Sequence, residues 1–241
     1  MNLDIIYSIS SNPGVFGVTL YNYLFKELKL NYIYKSVSIK EMNTLHKLLD
    51  VFIETEMIYA ISISMPFKKE VFNYLNIKKT VKYKPSNIKA FNSIKKSSNS
   101  IEGRLTDSSI FKFFLHSLPK DIEILFVYGD GAMAYLAKSF FTNFKIISLP
   151  RLFDSNVIYN QRKCAFINAT PLNLEDILSL DLIDFPVLDL PVRFDFINTN
   201  KNILTGVQAT KIQFADQFHF YTNIEINKNQ VDHAFKNAFK Q

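Results

Sequence analysis

Strand-like and helix-like segments alternate along this chain, and that alternation restricts it to the α/β folds. Residues 3–9 have the short apolar character of a strand, 19–28 have helical spacing and 32–37 are strand-like again. Residues 39–54 read as a helix with Leu45, Leu48, Leu49 and Phe52 on one face, 57–64 as a strand halted by Pro66, and 68–75 as a further helix. A second series follows: a helix over 107–117, strands over 123–128, 145–149, 164–168 and 186–190, a helix ending at Phe141, and a last helix from Gly206. Such alternation predicts α/β units with mostly parallel sheets.

Composition narrows the function classes. With 48% hydrophobic residues in 241, the chain can bury a core. The net charge is +6, but the lysines are scattered, and the one denser run (Lys78, Lys79, Lys82 and Lys84) reads as a solvated face. No RNA-recognition motif, zinc finger or basic region with heptads is present, so a nucleic-acid partner is not expected. The start, MNLDIIYSIS, lacks the basic and apolar regions of a signal peptide, and no apolar run approaches the ~18 residues of a membrane span. A cytoplasmic protein without a membrane partner is expected. The single cysteine, Cys164, lies in an apolar strand and reads as a structural thiol. The histidines at 46, 116, 219 and 233 have no ligand spacing, so no metal site is expected.

The second series carries a phosphate-loop pattern. Strand 124–128 runs directly into Gly129-Asp130-Gly131-Ala132-Met133-Ala134, followed by a helix. In Gly-x-Gly-x-x-Ala the first glycine allows a tight turn, the second admits a pyrophosphate, the small third residue lets helix and strand pack, and the helix N-terminus attracts anions. Asp130 would repel a diphosphate if it pointed inward. The next strand, 145–149, ends in Pro150-Arg151, where a NAD enzyme usually places an acid. Arginine there suits a 2′-phosphate and favours NADP. The expected architecture is an N-terminal α/β substrate domain over 1–105 and a Rossmann-like doubly wound domain over 106–207. C-terminal helices over 208–241 return to the first domain, and a cleft separates the two domains.

Further motifs fall at strand ends, where open α/β sheets bind ligands. They are Ile63-Ser64-Met65-Pro66-Phe67-Lys68, Ala90-Phe91-Asn92-Ser93, Leu105-Thr106-Asp107, Asn168-Ala169-Thr170 and Gln213 to Phe218. In this order the chain resembles the shikimate dehydrogenase family, which shows Asn-Val-Thr-x-Pro-Phe-Lys, Ala-Val-Asn-Thr, Asn-Thr-Asp, a glycine loop, Asn-Ala-Thr and a late glutamine. The run from Ser8 to Asn22 and the stretch from Ile63 to Lys68 are most similar to the divergent shikimate-dehydrogenase-like subgroup.

The resemblance implies an NADP-dependent oxidoreductase that interconverts shikimate and 3-dehydroshikimate in aromatic amino acid and chorismate biosynthesis. Alternatives are a dehydrogenase of quinate or a related cyclic polyol acid, and a weakly active or regulatory NADP-binding relative. It implies Lys68 and Asp107 as the catalytic pair at the oxidised hydroxyl, and Asn92, Gln213 and Ser64 as partners of substrate hydroxyls. Ser8, Ser10 or Thr19 would hold the carboxylate. Gly129, Gly131, Ala132, Met133, Arg151, Thr170 and Gly206 would line the cofactor. The protein would act as a monomer or homodimer. Departures are equally plain. Phe16-Gly17-Val18-Thr19 stands near the main branch's Ser-x-Ser-Pro, Tyr21 replaces a histidine, Leu105 replaces an asparagine, and Gly131-Ala132 lacks the usual paired glycines.

Overall fold

In the computed structural model, which describes residues 3–82, 88–98, 100–193 and 198–238, the first unit is organised by a six-stranded sheet. This unit comprises Met1–Thr106 and Ala215–Gln241. Its elements run β1 (Asp4–Ser10), α1 (Phe16–Glu27), β2 (Tyr32–Ser38), α2 (Met42–Glu54), β3 (Ala60–Ile63), α3 (Lys68–Ile77), β4 (Val81–Lys82), β5 (Ser93–Ser97) and β6 (Ser100–Arg104). The strand order is β2-β1-β3-β5-β6-β4. The three leading strands are parallel, whereas β3–β5 and β5–β6 pair antiparallel. The sheet is therefore more mixed than the alternation predicts. The β5–β6 hairpin escapes a hydrophobic reading because Lys95, Lys96, Glu102 and Arg104 interrupt its apolar positions.

Side-chain alternation along the strands gives the sheet two faces. Ile9, Ile61 and Ile63 pack with Leu45, Leu49 and Phe52 of α2 and Val71 and Leu75 of α3. The leucine face expected from periodicity is thus the face that α2 buries, although the helix starts at Met42 rather than at residue 39. On α1, Leu20, Tyr21, Leu24 and Phe25 are buried. Phe25 meets Phe218 at 5.7 Å between ring centroids, and Phe16 meets Phe235 edge-on at 5.4 Å. α1 ends without glycine. Lys29 takes φ 53° while Leu30 N–H reaches back to the Phe25 carbonyl at 2.8 Å, satisfying an end that would otherwise be open.

The second unit, Asp107–Phe214, holds α4 (Ser108–Ser117), β7 (Ile124–Tyr128), α5 (Ala132–Phe140), β8 (Lys145–Leu149), α6 (Asn156–Tyr159), β9 (Cys164–Asn168), β10 (Val187–Asp189), β11 (Ile203–Leu204) and the first part of α7 (Gly206–Thr222). All five strands are parallel in the order β11-β10-β9-β7-β8. This is the doubly wound order with its switch point between β7 and β9. The last helical stretch is two helices, α7 and α8 (Lys228–Ala238), broken where Asn223 turns with φ 57°. The remainder of α7, and α8, belong to the first unit. Lys84 lies outside the described residues. Among the described residues no helix is long and apolar enough to cross a membrane, and no His/Cys/Asp/Glu group could hold a metal.

Cys164 sits in β9 within a core of Phe126, Phe166 and Val187. Burial, with a smaller contribution from Asp184, pushes its thiol up to about 11. Thiol-specific reagents at mildly alkaline pH will therefore label the native protein slowly, and the denatured protein with the rate of a free cysteine, as timed labelling with and without denaturant will show.

Candidate functional site

In the first unit the candidate residues gather at the carboxyl ends of β1 and β3, the strand ends where parallel α/β sheets hold ligands. Asn92 is the hub. Its carbonyl accepts from Ile63 N–H at 2.8 Å, and its own N–H donates to the Arg104 carbonyl at 3.1 Å. These bonds pin it between the end of β3 and the end of β6. The next residue back, Phe91, donates its N–H to the Lys68 carbonyl at 3.1 Å, which ties the first residue of α3 to the same place. Ser64 N–H donates to the Ile9 carbonyl at 3.0 Å, carrying the link on to β1.

The orientation of the Asn92 amide follows from chemistry. Thr106 N–H, which can only donate, lies 2.7 Å from Oδ1, and the Thr106 and Ser93 hydroxyls donate to the same oxygen at 3.1 and 3.2 Å. The Nδ2 group must then face away from them. It is buried, on a residue only 2% exposed, and has no partner among the described residues. A buried donor left unmade costs about 1–3 kcal/mol, so this one requires an explanation.

A directional chain of hydrogen bonds holds the hub. Tyr21 donates to Gln217 Oε1 at 2.7 Å, and Gln217 Nε2 donates to Ser93 Oγ at 2.6 Å and, more weakly, to the Asn92 carbonyl at 3.4 Å. Ser93 completes it by donating to Asn92. Tyr21 stacks on Tyr34, 4.3 Å between centroids and 9° from parallel. Ser62 and the Tyr221 hydroxyl are 2.7 Å apart, while Tyr34 is bonded to Ser62 and Ser8. Burial raises the phenols of Tyr21, Tyr34 and Tyr221, so all three remain protonated and neutral at working pH.

The three carboxylate candidates differ in their commitments. Ser10 is buried and accepts from Asn12 N–H at 3.1 Å. Ser8 is bonded to Tyr34, and Thr19 donates its hydroxyl to the Val15 carbonyl one turn earlier. Gln213 is half-buried, in the part of α7 assigned to the second unit, one turn before Gln217. Asp107, the N-cap of α4, directly follows Thr106.

In the second unit the phosphate-loop pattern lies after β7, at the switch point. Gly129 has φ +122°, and a Cβ there would press on the Ala169 carbonyl oxygen and Thr170 Cγ2 at 3.0–3.1 Å. Both the conformation and the close approach demand glycine. A Cβ on Gly131 would meet nothing within 4 Å, so the space above this residue is open. Asp130 is exposed, as are Ala132 and Arg151, and Met133 is half-buried. Tyr128 donates to the Arg151 carbonyl at 3.0 Å, fastening the loop after β8 to the end of β7. The set fits a dinucleotide phosphate: an open loop, a helix start and an arginine at the neighbouring strand end.

Opposite the loop, Asn168 accepts from Thr170 N–H and hydroxyl at 3.1 and 2.8 Å and donates to Asp189 at 2.7 Å. Asp189, 1% exposed, also accepts from Arg193 at 2.9 Å, and Arg193 reaches Glu175 at 2.7 Å. Burial raises the Asp189 carboxyl despite these partners. Gly206 has a packing reason for its identity, since a Cβ there would collide with the Pro191 carbonyl oxygen.

Residues 15–94 match the shikimate dehydrogenase substrate binding domain. The shikimate dehydrogenase-like protein of Haemophilus influenzae is 26% identical over 251 residues, covering 90% of this chain and 89% of the relative. The solved structure of a shikimate 5-dehydrogenase-like protein superposes with a TM-score of 0.76 at 23% identity, covering 99% of this chain and 98% of that one. The chain resembles the shikimate dehydrogenases, and among them the shikimate dehydrogenase-like proteins. The fold is shared more widely. Shikimate 5-dehydrogenase from Thermus thermophilus, solved with NADP(H) and shikimate, has a TM-score of 0.72 at 16% identity, covering 98% of this chain and all of that one.

Against that family pattern, Tyr21 is more than a lost histidine, because it is the first donor in the chain that orients Asn92. Gln217 is the residue that motif matching passed over. The available signal was its spacing, one helical turn after Gln213. Replacing Tyr21 with Phe leaves Gln217 Oε1 without its donor and should cost about 1–2 kcal/mol in denaturant unfolding. Asp189→Ala strips a buried partner from Arg193 and Asn168, and should lower stability by about 3 kcal/mol in the same measurement.

Proposed function

We propose that this chain is an NADP-dependent oxidoreductase that interconverts shikimate and 3-dehydroshikimate. The observation that carries the reading is the buried, oriented and unpartnered Asn92 Nδ2 at the strand ends beside Lys68. Such a donor recognises an oxygen that arrives with a ligand, and a polyol offers several. Oxidation of a carbinol requires the hydroxyl proton to leave as hydride departs, and the cofactor, when bound, accepts that hydride. In this reading Lys68 receives the proton and Asp107 is its acid–base partner. Asn92, Ser64 and Gln213 bind the ring hydroxyls.

Ser10 is the favoured carboxylate donor among the three candidates. It accepts from Asn12 and keeps its own proton to give, whereas the proton of Thr19 is committed to Val15. The open space at Gly131 and the position of Arg151 support NADP as the cofactor. Quinate or a related cyclic polyol acid is the second reading, favoured by the altered sequence at Phe16-Gly17-Val18-Thr19.

Purified protein given shikimate and NADP should generate reduced-cofactor absorbance, faster than with quinate. Lys68→Ala and Asp107→Ala should each lower kcat/KM by roughly a hundredfold or more. Unchanged rates in both variants would remove their roles. Faster turnover of quinate would select the second substrate. Millimolar NADP should raise the melting temperature, and Arg151→Gln should reduce that rise.

A further inference from the structure

We propose a second binding site in the first unit, for a small phosphate-bearing anion, at the opposite end of the sheet from Asn92. The β5–β6 hairpin gives the direction. Ser93 pairs with Arg104 at the Asn92 end, and Ser97 pairs with Ser100 at the other. Four residues of strand separate them, about 13 Å at ~3.3 Å per residue. At that far end a cavity of about 420 Å³ opens. Lys79, Lys82 and Lys96 line it, together with the hydroxyl-bearing residues Thr80, Ser97 and Ser100.

Three features set this place apart from an ordinary solvated lysine face. First, the lysines come from separate parts of the chain: Lys79 and Lys82 follow α3, and Lys96 lies across the sheet on β5. Second, Lys96 is held. Its backbone N–H donates to the Tyr59 carbonyl at 2.9 Å, its Nζ donates to the Thr55 carbonyl, and its side chain is only 13% exposed. The ammonium also lies 5.7 Å from the centre of the Phe52 ring. A cation already ordered loses little entropy when it meets an anion. Third, the charges do not cancel. Among the described residues Glu56 is the one carboxylate on the wall, 3.5 Å from Lys96 Nζ, and its side chain is 95% exposed, where solvent screens the pair. Among the described lining residues three lysines stand against one screened carboxylate, a balance that favours an anion.

Lysine binds phosphate as a point charge, and neighbouring hydroxyls supply neutral donors for the remaining oxygens. The volume lies within the ~300–1,000 Å³ of small-molecule sites, so it admits a phosphate with a small organic body. None of these residues belongs to the proposed catalytic set, so the site stands whether or not that reading does.

Isothermal titration of the full-length protein with pyrophosphate and with orthophosphate tests the site. Saturable binding is expected, weakening as salt rises. Lys79→Gln combined with Lys82→Gln should weaken it about tenfold, while Arg151→Gln, at the phosphate loop of the second unit, should leave it unchanged. Absence of saturable binding would overturn the proposal. So would wild-type affinity in the lysine double variant, or an equal loss in Arg151→Gln, which would place the anion at the nucleotide loop or assign it to net charge.

Discussion

The Thr106 N–H at 2.7 Å from Asn92 Oδ1 is the constraint on which the rest of the first unit's site depends. A backbone amide cannot accept, so it dictates which end of the Asn92 side chain faces the protein. Everything that gathers around Oδ1 – the Thr106 hydroxyl, Ser93 and, behind Ser93, Gln217 and Tyr21 – reinforces that choice. The consequence falls on the other end. Nδ2 is committed to a direction and, among the described residues, given nothing to bond. A flipped amide would satisfy neither end, so the arrangement is stiff, and a stiff donor spends little of its binding energy on ordering.

The second unit offers an internal comparison. Asn168 is the last residue of β9, whereas Asn92 immediately precedes β5, yet it too receives the N–H and hydroxyl of a threonine, Thr170, on its Oδ1. There the Nδ2 is satisfied, by Asp189 and by the Leu172 carbonyl at 3.0 Å. The same residue pair therefore serves two ends. In the second unit it closes a turn that presses Ala169 and Thr170 against Gly129, shaping the loop. In the first unit, one donor is left over. The oxygen of each asparagine is held by a threonine N–H and hydroxyl, but the fate of the second donor differs, so the orphaned Nδ2 of Asn92 does not follow from that pairing alone.

How much of this was legible beforehand varies with its physical origin. The alternating elements and the leucine face of α2 were readable because they follow from apolar periodicity, and the glycine loop because a turn with positive φ admits few residue types. The β5–β6 hairpin was not, since Lys95, Lys96, Glu102 and Arg104 break the apolar alternation by which a strand is read. The division of labour between Gln213 and Gln217 was equally hidden. Both lie on one helix four residues apart, and only the fold says that Gln217 is buried against Ser93 and Tyr21. Asp189 and Arg193 are silent in sequence for the same reason: a buried pair is defined by its surroundings, here Asn168 and Glu175.

The chemistry of the polar layer in the first unit suits the proposed reading, in which a substrate is recognised through its hydroxyls. Tyr21, Tyr34 and Tyr221 are held protonated by burial, and Ser8, Ser62 and Ser93 are neutral throughout. A lattice of neutral donors and acceptors responds to the presence and position of each oxygen a ligand brings. Discrimination of this type is strong, because a ligand lacking one hydroxyl leaves a buried group unpaired, a penalty of roughly 10⁴ or more in specificity where the site is closed to water. In the proposed reading that penalty concentrates at Asn92, whose Nδ2 has no partner among the described residues and cannot rotate to find one without losing Thr106.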